Sequence, residues 1–114
     1  MSSIQWTLIT SDPLTLIWPS NNLLNLELEG LNFTLGKWQD KYYAFSDKCP
    51  HASASIHQGY INSLGQVVCP LHHLCFNIEK NGRDSKGEGY FLKTYPIELR
   101  ENGLFIGIKP NYLV

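Results

Sequence analysis

Two short boxes constrain this chain more than any other feature. Residues 49–51 read CPH and residues 69–73 read CPLHH, so each box offers a cysteine, a proline and a histidine in the same order. The spacing is CxH in the first and CxxH in the second, short enough to set both side chains of a box at one loop tip. Whatever the fold, it must bring two such tips together if the four side chains act as one unit. Ordinary core cysteines and solvent histidines, placed independently, do not account for two matched boxes.

Outside the boxes the pattern is that of strands separated by turns. WTLIT (6–10), LLNLEL (23–28), LNFTLGKW (31–38) and KYYAF (41–45) are rich in apolar, aromatic and β-branched residues and alternate in part, with breaks at Gly30 and at QD. QVVCP leads into the second box, LCFNIE (74–79) leaves it, and NGRD (81–84) is a strong turn signal. FLKTYPIEL (91–99) and GLFIGI (103–108) follow, joined by a turn at ENG. No stretch sustains a helical period, so the expectation is an all-β fold, an antiparallel sandwich framework. Residues 46–90 hold all three cysteines and all four histidines, and much of this stretch reads as loop. It is expected to form a small binding subdomain within a single domain spanning residues 1–114.

Composition narrows the function classes. With 114 residues, 43% of them hydrophobic, the chain has the size of one domain, and its formal net charge of −1 gives no basic surplus for nucleic acid or anionic lipid. No apolar run approaches the roughly 20 residues that span a bilayer, and the first residues lack a basic start and a long apolar core. The expectation is a soluble, cytoplasmic protein with neither nucleic-acid nor membrane partners. Three cysteines are an odd number for a disulfide scaffold, and two of them lie in the boxes, which suits a reducing compartment.

Two thiols and two imidazoles would make a tetrahedral zinc site. Zinc modules, however, usually open with two cysteines roughly two to four residues apart, and a single residue between cysteine and histidine is not their pattern. A [2Fe-2S] centre with two cysteines on one iron and two histidines on the other fits the pairing better. Here the chain resembles the Rieske family. The resemblance rests on CPH (49–51), Gly59, VVCPLHHLCF (67–76) and the NG turn, and extends to YYAFSDKCPH before and YPIELRENGLFIGI after. It implies one Rieske-type [2Fe-2S] cluster, with Cys49 and Cys69 on one iron and His51 and His72 on the other. Pro50 and Pro70, each following a ligand cysteine, would fix φ and remove a backbone donor nearby.

Several positions depart from the family pattern. A glycine commonly follows the second ligand histidine, where this chain has His73, read as a solvated or partner-facing imidazole. His57 is read as a surface histidine and Cys75 as a small buried hydrophobe. High-potential members join an extra cysteine in each box by a disulfide, and the matching positions are Ala54 and Leu71, which cannot form one. The same members place a serine and a tyrosine where Leu74 and Phe76 stand. A proline-containing covering loop is replaced by DSKGEGY (84–90), expected to be more flexible.

The resemblance implies a one-electron carrier and not an enzyme. It would pass electrons from an NAD(P)H-dependent flavoprotein reductase to a terminal oxygenase or similar acceptor. The alternatives are the small subunit of an assimilatory nitrite reductase and a redox-sensing regulatory module.

Overall fold

The computed structural model describes residues 3–51 and 53–109. Its strands are β1 (Gln5–Thr10), β2 (Leu23–Leu28), β3 (Leu31–Trp38), β4 (Lys41–Ser46), β5 (Tyr60–Ile61), β6 (Gln66–Val68), β7 (Cys75–Asn77), β8 (Arg83–Asp84), β9 (Thr94–Tyr95), β10 (Ile97–Arg100) and β11 (Gly103–Ile108). They form three sheets, ordered β1-β11-β10, β2-β3-β4-β9 and β5-β6-β7-β8, and every pairing between them is antiparallel. The all-β expectation is met.

The meander β2-β3-β4 is built on two-residue turns. Glu29 and Gly30 have φ of 52° and 81°, and Gln39 and Asp40 have φ of 50° and 62°. Positive φ at both central residues matches the right-handed twist of the flanking strands. QD does the work of an NG pair at the second turn: aspartate is among the residues that tolerate this region, whereas Gln39 adopts it against its own preference.

The meander sheet is covered on both faces, which explains why its alternation is only partial in the sequence. Phe33, Leu35, Ala44 and Tyr95 face Leu104, Ile106 and Ile108 of the β1-β11-β10 sheet and form the sandwich core. Leu23 and Phe45 face the other way, into a second core with Ile56, Val67, Phe76 and Leu92. Phe33, Phe45 and Phe76 are fully buried, each stabilising the fold by about 2–3 kcal/mol relative to exposure. Strands buried on both faces lose the polar-out positions on which a period of two depends.

Two differences from the sequence expectation have local causes. The stretch 91–99 is not one strand: it breaks at Pro96, between β9 on the meander sheet and β10 on the other. Pro96 has no N–H to give a ladder, but its carbonyl accepts from Gly107 N–H at 2.9 Å, which keeps β11 beside the crossing point. β5 and β8 were not expected, and each is only two residues long, too short for any periodicity to register.

Candidate metal centre

The two boxes are loops of the same length with the same closure. Cys49 N–H donates to the Ala54 carbonyl at 3.1 Å, and Cys69 N–H donates to the Leu74 carbonyl at 2.9 Å. The flanking residues pair as well, Lys48 with Ser55 and Val68 with Cys75. Each loop thus starts with its cysteine inside the base and runs outward through proline toward its histidine. The second loop turns through His72 and His73, with φ of 67° and 55°.

This geometry separates the donors by depth. Cys49 and Cys69 are 2% and 0% exposed and belong to the second core, whereas His51, His72 and His73 are exposed. The two thiols are close enough for Cys49 to act on the ionisation of Cys69. Burial pushes the Cys69 thiol up to about 11; the Leu71 N–H opposes that rise, and the neighbouring Cys49 thiol adds to it. Above them, the His51 and His72 rings meet edge to face with centroids 5.6 Å apart. Among the described residues, no three His, Cys, Asp or Glu side chains converge as they would around a single ion. A buried sulfur pair beneath an exposed imidazole pair is a two-plus-two donor set, suited to a binuclear group and not to four protein ligands on one zinc. The residues fit a Rieske-type cluster.

Three side-chain anchors hold the loops. Asp47, two residues before Cys49, receives Thr34 Oγ1 at 2.7 Å and the His57 N–H at 2.8 Å on Oδ1, and both its oxygens lie 2.9–3.0 Å from His57 Nδ1. Its own carbonyl accepts from Ile56 N–H at 2.7 Å. His57 is therefore half-buried and paired, which corrects the reading of it as a surface histidine. Asn21 Nδ2 donates to the carbonyls of His57 and Gly59 at 2.8 and 2.9 Å, fastening the end of the first box to the start of the meander. A β-carbon on Gly59 would overlap the Val68 carbonyl oxygen, so the chain after the first box lies directly on the strand that delivers the second.

The third anchor is Asp84, which sequence reasoning missed. This buried carboxylate accepts from the N–H groups of Lys86 and Glu88 at 3.0 Å each, and of Tyr90 at 2.8 Å. The Glu88 N–H, with support from those of Tyr90 and Lys86, holds its carboxyl below the usual carboxylate range against the opposing cost of burial. The stretch 84–90, expected to be flexible, is thus wrapped around a charged side chain. It ends with the Tyr90 ring set edge-on to that of His51, centroids 5.0 Å apart. Asp followed by a Gly-rich run was the available signal, since short acidic side chains cap turns of this kind. Cys75 is half-buried, not buried, and its thiol donates to the His73 carbonyl at 3.6 Å.

Comparison with known proteins agrees with this geometry. The family model of the Rieske [2Fe-2S] domain matches residues 14–96. A 3-phenylpropionate/cinnamic acid dioxygenase ferredoxin subunit of Photorhabdus laumondii is 29% identical over 68% of this chain and 73% of its own length. The subunit of the same description from Escherichia coli K12 is 31% identical over 60% of this chain, and the match spans 64% of that relative, somewhat less than two thirds. Among solved structures, the ferredoxin of carbazole 1,9a-dioxygenase from Nocardioides aromaticivorans superposes with a TM-score of 0.71 at 16% identity, covering 89% of this chain and 95% of that one. A chain of the complex of reduced oxygenase and oxidized ferredoxin in carbazole 1,9a-dioxygenase gives 0.71 at 19%, covering 89% and 91%. A Mycobacterium tuberculosis protein described as an NADH-dependent nitrite reductase small subunit gives 0.77 at 18%, covering 93% and 96%. At these identities the structures share the fold. The family match over most of the chain, together with paired thiols beneath paired imidazoles, leads to one conclusion: this chain belongs to the Rieske [2Fe-2S] domain family, and its cofactor is one Rieske-type [2Fe-2S] cluster.

Proposed function

We propose that the chain is a one-electron carrier in which Cys49 and Cys69 hold one iron of the cluster and His51 and His72 the other. The observation that supports this most is the separation by depth: both thiols buried in the core, both imidazoles exposed in edge contact. When bound, the cluster supplies a one-electron couple centred on its histidine-ligated iron. The protein keeps the cysteine side dry within the second core and presents the rings of His51 and His72 to solvent, so that transfer runs through their edges. With protein and sulfide filling every iron position, no position remains for a substrate, and the chain is a component of an oxidoreductase system and not its catalyst.

The relatives are named as dioxygenase ferredoxin subunits, which favours a circuit from an NAD(P)H-dependent flavoprotein reductase to a terminal oxygenase. No described helix is long and apolar enough to cross a membrane, and thiols committed to a cluster suit a reducing compartment such as the cytoplasm. Purified protein should carry about two irons and two acid-labile sulfides per chain, and the reduced form should show the low average g-value of a histidine-ligated cluster. Stoichiometric zinc without sulfide would overturn the reading. Recovery of a flavoprotein with an oxygenase in a native pull-down supports the circuit, and recovery of a siroheme enzyme rejects it in favour of a nitrite reductase subunit.

A further inference from the structure

Both backbone groups of Tyr90 are committed to one residue. Its N–H donates to Asp84 Oδ2 at 2.8 Å, and its carbonyl accepts from Asp84 N–H at 3.0 Å. Asp84 is itself fixed: it is buried, and the next residue, Ser85, donates its N–H to the Cys75 carbonyl at 2.9 Å, on the strand leaving the second box. The Tyr90 ring packs against the second core and meets His51 edge-on at 5.0 Å, while His72 meets the same imidazole at 5.6 Å. His51 thereby meets two rings edge to face, one from the second box and one from a separate loop.

We propose that Tyr90, held by Asp84, is a positioning residue for His51: it fixes the plane of the imidazole and keeps water from one side of it, and so holds the reduction potential of the site down. The inference rests on His51 being an iron ligand. An electron arriving at a cluster with two thiolates and two neutral imidazoles makes the site more negative, and nearby water stabilises that state. A side chain that excludes water from a ligand opposes reduction, burial being one of the levers a protein holds over such a centre. The ring carries this effect, and the phenol hydroxyl is not needed for it.

Direct voltammetry of the loaded protein and its variants tests the inference. Tyr90→Phe keeps the ring and should leave the midpoint unchanged, whereas Tyr90→Ala should shift it upward and broaden the electron paramagnetic resonance of the reduced form as His51 gains freedom. Asp84→Asn, which keeps the ring but weakens its anchor, should shift the potential in the same direction by less. Should Tyr90→Ala fail to assemble a cluster, Tyr90→Leu keeps an apolar side chain but covers less of the imidazole than the ring does, and should read above wild type by less than full removal would. An unchanged midpoint in Tyr90→Ala, or in Tyr90→Leu where the alanine variant holds no cluster, or a shift in Tyr90→Phe as large as in either, overturns the role of Tyr90 alone. A wild-type protein that binds no iron and sulfide overturns the ligand assignment and this inference together.

Discussion

Gly59 lies against Val68 so closely that a β-carbon on the glycine would occupy the space of the Val68 carbonyl oxygen. The backbone leaving the first box thereby rests on the strand entering the second. Gly59→Ala should destabilise the fold by about 1–3 kcal/mol through overpacking against backbone that cannot move aside. It should also lower the iron and sulfide retained per chain. Gly30→Ala is the matched comparison: Gly30 has φ of 81° with nothing near its would-be β-carbon, so only backbone strain of about 1 kcal/mol applies, and cluster content should stay unchanged. Thermal unfolding with visible absorbance reads both.

His73 occupies the left-handed region at φ 55°, a conformation that favours glycine. An L-residue with a β-carbon is strained there by about 1–2 kcal/mol, part of which glycine gives back through its freer unfolded chain. His73→Gly should therefore raise stability by about 0.5–1 kcal/mol and leave the cluster intact. His72→Gly relieves the same kind of strain but removes an assigned ligand, so cluster loss should separate the two neighbours. Loss on replacing His73 and retention on replacing His72 would move the ligand by one residue.

The Asp47 carboxylate joins Thr34, the His57 N–H and the His57 ring, and all of these contacts converge two residues before Cys49. Asp47→Ala leaves partly buried donors unpaired and should cost about 1–3 kcal/mol, with faster loss of the cluster on standing. Thr34→Val removes one donor at nearly constant volume and should cost about 1 kcal/mol. Chemical denaturation of the three proteins orders them, and an Asp47→Ala variant as stable as wild type would show that the first box is held by its backbone alone.

The carboxyl of Asp84 titrates below the usual range because the Glu88 N–H, and those of Tyr90 and Lys86, favour its charged form. A group with a depressed folded pKa contributes stability that is present above its unfolded value and lost as pH falls through the folded one. The 84–90 loop should therefore hold through neutral pH and loosen below about pH 4. Cluster release followed by absorbance should show an acid limb in wild type that flattens in Asp84→Asn, which has no carboxylate to protonate. An identical limb in both proteins would assign acid loss to the cluster ligands.

The two boxes and most of the framework were legible in the sequence because each leaves a local trace: the boxes in their spacing, β2, β3 and β11 in apolar runs bounded by turn residues. What the sequence did not carry are relationships at long separation. That the meander sheet is buried on both faces depends on the sheet of β1, β10 and β11 on one side and on the core shared with the β5-β6-β7-β8 sheet on the other. His57 looked like a surface residue because its partner Asp47 lies across a loop, and the 84–90 loop looked slack because glycines and charges usually mean solvation. The order there comes from one carboxylate receiving three amides, which no composition reveals.

The reduction potential follows from what surrounds the thiols. Leu74 and Phe76 stand where high-potential relatives of this family place a serine and a tyrosine, whose hydroxyls stabilise the more negative reduced state. Here both side chains are buried, 4% and 0% exposed, in the same core as Cys49 and Cys69, and neither can donate a hydrogen bond. Rieske centres span roughly −150 to +300 mV, and a site without these donors should lie near the low end, around −150 mV. That value suits a carrier filled from NAD(P)H through a flavin. Leu74→Ser removes about 2–3 kcal/mol of packing, yet it places a hydroxyl inside the thiol-bearing core and should raise the midpoint. Phe76→Tyr must bury a new hydroxyl at a fully enclosed position, costing about 1–3 kcal/mol unless it finds a sulfur, in which case potential and stability are both rescued. Voltammetry separates these outcomes: a wild-type midpoint above about +100 mV would reject the hydrogen-bond argument and the flavin-fed circuit together. If neither variant shifts the potential, the second-box loop, turned through His72 and His73 at positive φ, aims these side chains away from the sulfurs.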